Sequence, residues 1–144
     1  MFETAYRLEA LDAFDRVFRI SKLTALSHLF GQHHHRLHSF RLLAPHMTGQ
    51  VDRGMQTVFI KCITGSVERA EDFDANFRPR SAHVRERWAS IASALQRGEY
   101  LPPIELYKVG DEYYVVDGHH RVSVMRYHGQ LYIEAHVTEV NMGC

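Results

Sequence analysis

Apolar side chains recur at helical intervals along residues 2–30. Leu11, Phe14, Phe18, Ala25 and Leu29 mark one stripe, which Leu8, Val17 and Leu26 widen. No Pro or Gly interrupts this run before Gly31. The pattern predicts a long helix over 2–30, packed on the body of the protein or used to pair with a second copy or a partner. A short helix from Ser39 should stop by Ala44, because Pro45 disfavours α geometry in the residue before it. Residues 45–56 carry Pro45, Gly49 and Gly54 among polar neighbours and read as a linker. The division expected is a helical N-terminal extension over 1–50 and a second domain over 51–144.

Beyond residue 56 the period changes. Thr57–Ile63 reads as a strand, and 64–80 as a charged loop or short helix. Ser81 is a suitable N-cap for a helix whose apolar stripe is Val84, Trp88, Ile91, Ala92 and Leu95, with Gly98 as its stop. Pro102-Pro103 breaks the chain. Ile104–Lys108 and Glu112–Val116 then form a hairpin about Val109-Gly110-Asp111. A helix from the Asp117–Arg121 turn to His128, ended by Gly129, and a strand over Leu131–Val140 complete a β-α-β-β-α-β order. The fold class expected is therefore α+β, a small mixed sheet with packed helices behind a helical extension.

Composition narrows the function. Hydrophobic content of 45% and charged content of 24% suit a globular domain. The 17 Lys+Arg balance 17 Asp+Glu, which argues against a bulk electrostatic binder of nucleic acid. Of the basic residues only Lys22, Lys61 and Lys108 are lysines, and arginine grips phosphate or carboxylate with two parallel bonds. Cys62 and Cys144 are expected to be free thiols of a cytoplasmic protein. No apolar run approaches the roughly 20 residues that span a bilayer, so no membrane association is expected. His33, His34, His35 and His38 cluster together, and His34 and His38 could share a helix face. Without nearby Cys or carboxylate support, a solvated helix end accounts for them better than a metal site.

The chemistry concentrates in VVDGHHRVSVM, residues 115–125. A buried strand runs into Gly118 and directly into a helix. Glycine permits a sharp turn with no side chain before a ligand. The amides that follow are unpaired donors at the positive end of a helix. His119, His120 and Arg121 add side-chain donors at the same place. Physically this is an oxyanion cradle. Asp117 fits it as a magnesium ligand, a hydroxyl acceptor or a general base. The competing reading is a cap in which Asp117 pairs with Arg121 across the turn.

At these residues the chain resembles the ParB/sulfiredoxin superfamily. The DGHHR turn is similar to its second signature box. ITGSVERAEDFD (63–74) is similar to the first, with Arg69 in the place of the loop arginine. WASIASALQRGEYLPPIEL (88–106) resembles the intervening helix, Gly, Pro-Ile and strand. The likeness covers about residues 57–140. It implies a ParB/sulfiredoxin-like fold and a nucleoside triphosphate or diphosphate (CTP, ATP or ADP) bound with magnesium. Gly118, His119, His120 and Arg121 would hold phosphates, with Arg69 opposite them and Ser66 beside them. Asp117 or Glu68 would bind magnesium. The sulfiredoxin cysteine is missing from this box, so sulfinic acid reduction is not expected. The chain ends after the last strand, so a complete partition protein is not expected either.

Three further functions are consistent with the pattern. Free-serine kinases of the same superfamily would use a carboxylate base, for which Glu68 is the nearest candidate, with Asp117 and His120 as other proton carriers. A nuclease or DNA-binding regulator would need Asp117, Glu68 and Asp72 on a metal and a basic face from Arg78, Arg80, Arg85 and Arg87. Glu71, Asp72, Asp74 and Glu86 interleave with those arginines, so a solvated ion-pair face is the simpler account. Last, helix 2–30 could recruit a protein partner or form a homodimer. The expectation carried forward is a domain that binds a phosphate-bearing ligand, in a regulatory or nucleic-acid-associated setting. Ser66 and Tyr114 are lesser candidates for lining the site.

Overall fold

A computed structural model describes residues 2–27 and 36–143. His33–His35 and Cys144 lie outside the described residues, while Cys62 is a free thiol. Three helices, α1 (Phe2–Ser27), α2 (Arg85–Gln96) and α3 (His119–Tyr127), pack with six strands. The strands are β1 (His38–Ser39), β2 (Met47–Phe59), β3 (Ile63–Ser66), β4 (Ile104–Val109), β5 (Glu112–Asp117) and β6 (Tyr132–Met142). The architecture is mixed α+β, and no described helix is long and apolar enough to cross a membrane.

The strands form one sheet in the order β1-β3-β5-β4-β6-β2. β1–β3, β3–β5 and β4–β6 are parallel, while β4–β5 and β2–β6 are antiparallel. β2 and β3 are four strands apart in this order, yet only Ile60–Cys62, a 3₁₀ turn, joins them. Four strand spacings in a flat sheet make about 19 Å. Four residues of chain reach about 14 Å. The sheet is therefore curled, and its concave side wraps one core of Val58, Ile60, Ile63, Phe73, Phe77, Ile104, Leu106, Val115, Val122, Ile133 and Val137. Phe40, Tyr114 and Val140 form a smaller cluster of their own. Gly65 belongs to that packing, since a Cβ there would lie 2.3 Å from Tyr114 Cδ1.

The segment expected as a linker, 45–56, is mostly β2, and residue 50 falls inside a ladder where Gln50 faces Val140. Bulges between Met47 and Gly49 and between Asp52 and Met55 absorb the glycines. The Gly54 amide donates to Asp52 Oδ1 (2.7 Å) at the second. The expected strand Thr57–Ile63 is split by the 3₁₀ turn that redirects the chain. Ser81 precedes a 3₁₀ turn (Ala82–Val84) and makes no side-chain cap. His38 lies in β1, not on a helix, and pairs with Glu112 at 3.6 Å.

α1 packs on α2 through a seam one step round from the leucine stripe. Ala10, Ala13, Phe14 and Val17 are buried against Trp88, Ala89 and Ala92. Leu8 and Leu26 are exposed. Small side chains on both helices let the backbones approach closely. Phe14 then meets Trp88 edge to face, 5.8 Å between centroids. Trp88 Nε1 donates to Ser123 Oγ (2.8 Å), whose hydroxyl donates to the Phe77 carbonyl. That chain of bonds fixes α3 between α2 and the 73–78 loop.

Candidate functional site

β5 delivers the chain to the site. Val115 is fully buried, and β5 is held between β3 and β4. At the strand end Gly118 adopts φ 106°, ψ 24°, and α3 starts immediately. Only glycine tolerates this backbone readily. A Cβ on Gly118 would also lie 2.4 Å from Ile104 Cγ2, so core packing requires the glycine as well.

The first α bond of α3 runs from Val122 N to Gly118 O (3.0 Å). The amides of His119, His120 and Arg121 precede it and have no intrahelical acceptor. No side chain caps this end. Three donors and the positive end of the helix dipole therefore face one place.

Both histidines are buried, each 5% exposed. His119 stacks on Phe73 and places Nε2 2.7 Å from Ser66 Oγ, which also accepts from the Arg69 amide (2.8 Å). His120 meets Phe73 edge-on, and its Nε2 has no hydrogen-bond partner. Burial, reinforced by the Arg69 guanidinium, pushes both imidazoles down to about 4; Arg87 and His119 press further on His120. Both rings are thus neutral at pH 7.

A cavity of about 50 Å³ opens here. It is bounded by the 117–121 turn, by Arg69 from the loop after β3, and by Arg87 and Ile91 one helical turn apart on α2. One water needs about 10–15 Å³ by this measure, so the space suits a few water-sized groups, one small oxyanion. Arg69 is tied by Nε to Asp72 Oδ2 (3.0 Å). Arg87 has no ion-pair partner among the described residues.

Arg121 is already engaged. Nη1 donates to the carbonyls of Pro102 (2.7 Å) and Pro103 (3.2 Å), and Nη2 to Asp117 Oδ2 (3.0 Å). The guanidinium joins α3 to the Pro-Pro loop, and the pairing with Asp117 across the turn is present. Asp117 itself is exposed at the cavity mouth and does not cap the helix. Glu68 is exposed and outside the cavity lining. Ser66 is buried beneath His119, and Tyr114 packs on Phe40; neither lines the cavity. Among the described residues, no three His, Cys, Asp or Glu side chains are grouped to hold a metal ion.

Arg87 is the residue whose place in the cavity the sequence reading did not assign. It sits in a run of charged residues expected to form a solvated face, and of the four arginines there only Arg78 and Arg85 are in ion pairs among the described residues, with Asp74 and Asp15. Its signal was the spacing to Ile91, which puts both on the flank of the Trp88 stripe.

This arrangement suits holding an oxyanion better than moving protons. A ring that protonates near 4 is a weak base at neutral pH. Comparison with family models, with curated proteins and with solved structures found no match.

Proposed function

We propose that this protein is a ParB/sulfiredoxin-like module that binds a phosphate-bearing ligand, a nucleotide with magnesium, at the Asp117–Arg121 turn. The observation that carries the reading is an uncapped helix N-terminus at a cavity flanked by Arg69 and Arg87 and lined by His120, a buried residue whose Nε2 has no partner. A buried polar atom without a partner is costly, and an oxyanion would remove that cost.

The residues divide into two roles. The amides of 119–121, His120, Arg69 and Arg87 would contact one phosphoryl group. Arg121 and Ser66 would position the turn, since their polar atoms already have partners in the fold. The cavity has room for one phosphoryl group, so the base and sugar of a nucleotide would lie on the surface outside it. For magnesium, the exposed carboxylate of Asp117 fits an ion that keeps most of its waters and shares phosphate oxygens. Bound there, the ion would supply charge neutralisation between the carboxylate and the phosphate. Binding is favoured over the free-serine kinase reading because the one carboxylate lining the cavity, Asp117, is paired with Arg121 and Glu68 stands outside it. A regulatory or nucleic-acid-associated setting is the context this reading carries.

The test is calorimetric titration with inorganic phosphate, CTP, ATP and ADP, each with and without magnesium. We expect saturable binding that Arg87→Gln weakens about tenfold, the loss of one charge-assisted hydrogen bond. Silence for all four ligands would sink the reading.

A further inference from the structure

A second cavity, of about 320 Å³, lies at the opposite end of α3. It stands between α1, the 76–78 loop and the last turn of α3. Its size reaches the lower range of pockets that enclose small organic ligands, about 300 Å³ upward. Val17, Ile20, Phe77 and Tyr127 give it apolar walls, and Arg78 and Arg126 give it charge.

The charge is under-compensated. Arg126 has one polar partner, Asn76 Oδ1 at 3.0 Å, and no carboxylate within ion-pair distance among the described residues. Arg78 reaches Asp74 only at 3.5 Å. The other oxygen of Asp74 is occupied by the amides of Asn76 and Arg78, both at 2.9 Å. Arg78 therefore has part of one carboxylate and Arg126 has none in contact. Burial, with Arg78 nearby, lowers the pKa of Arg126 against the opposing pull of the Asp74 carboxylate.

The backbone beside them is strained. Phe77 is buried and has φ 57°, the sole positive φ at a non-glycine among the described residues. A bulky side chain in this region persists only where the surroundings fix it, and such residues gather at ligand clamps. Here the Phe77 amide donates to Asp74 O (2.9 Å) and its carbonyl accepts from Ser123. The strain turns the chain so that Asn76 and Arg78 flank the cavity while the Phe77 ring stays in the core.

We propose that this cavity is a binding site for a small organic oxyanion, a carboxylate or phosphate monoester on a short apolar body, gripped by Arg78, Arg126 and Asn76. The apolar body would lie against Ile20 and Tyr127. This site shares no lining residue with the Asp117–Arg121 cavity, and neither reading depends on the other.

The probes are benzoate, phenyl phosphate and inorganic phosphate, followed by NMR at the side-chain NεH of Arg78 and Arg126 and the Asn76 amide. Benzoate or phenyl phosphate should shift these signals saturably, with a Kd of about 1 mM or tighter, and inorganic phosphate at least about fivefold more weakly. The benzoate and phenyl phosphate arms separate a carboxylate from a phosphate preference. Arg126→Gln should weaken binding about tenfold. Because that change could also disturb the loop, a second variant is needed. Ile20→Glu, at a half-exposed wall on α1, places an internal carboxylate opposite the guanidiniums. It should abolish probe binding while raising the melting temperature. No saturable shift with any probe, or binding unchanged in both variants, overturns the proposal.

Discussion

The two ends of α3 hold two arginine-flanked cavities built on different principles. At the N-terminus the space is about 50 Å³, and backbone amides do the donating beside two neutral imidazoles. At the C-terminal end the space is about 320 Å³, and guanidiniums face it across apolar walls. A helix N-terminus is positive without side chains, so neutral residues complete it. A helix C-terminus is negative, so an anion there needs full cations, and Arg126 in the last turn also complements the dipole. The first arrangement is the one proposed to hold one compact oxyanion. The second suits an anion with an apolar body.

The largest effect expected from this contrast concerns pH. His119 and His120 have folded values near 4 against an ordinary 6.5. Above pH 6.5 both states keep the rings neutral and the full stability is present. As pH falls from 6.5 towards 4, the unfolded chain takes up protons that the fold excludes. Each ring then costs about 1.4 kcal/mol per pH unit. Urea unfolding at pH 7, 6, 5 and 4.5 should show this slope, and His120→Gln should flatten it by about half. A slope identical in the variant contradicts neutral burial of His120. The second cavity is lined by no histidine and should be unchanged over the same range.

Next in size is Gly118→Ala. Strain at φ 106° and the clash with Ile104 should together cost about 3 kcal/mol, read as a lower urea midpoint with unchanged m. A cost below about 0.5 kcal/mol would mean the turn relaxes freely. The smallest effect separates clamp from ligand contact. Arg121→Lys cannot span the Pro102, Pro103 and Asp117 acceptors, so it should lose about 1–2 kcal/mol of stability. Phosphate affinity should change less than threefold, whereas Arg87→Gln should do the reverse. If Arg121→Lys abolishes phosphate binding in folded protein, Arg121 is a ligand contact after all.

How far the sequence foretold these features follows from where each is encoded. The β4–β5 hairpin and the strand–glycine–helix turn were legible because their signals are local, a Gly at each bend and apolar runs between them. β2 was not legible. It is an edge strand whose side chains are mostly exposed, so it shows no apolar alternation, and its glycines sit in bulges fixed by pairing with β6. The α1 seam was read one step off because Ala10 and Ala13 carry little hydrophobic weight, yet close packing on Ala89 and Ala92 selects them. At the site, the free amides follow from the DGHHR sequence, whereas His119 and His120, expected as ligand donors, are buried, His119 against Ser66. The engagement of Arg121 with the Pro-Pro loop and the entry of Arg87 from α2 depend on tertiary contacts that local pattern does not contain.

One measurement tests the central claim most directly: an NMR titration with inorganic phosphate, reading the amides of 119–121 and the ring nitrogens of His120 together. The expected result is that these signals move with one saturation curve and that the His120 ring protonates at a higher pH when phosphate is bound. If phosphate leaves those amides and that ring unmoved, or moves them only in proportion to ionic strength, α3 carries no oxyanion site at its N-terminus.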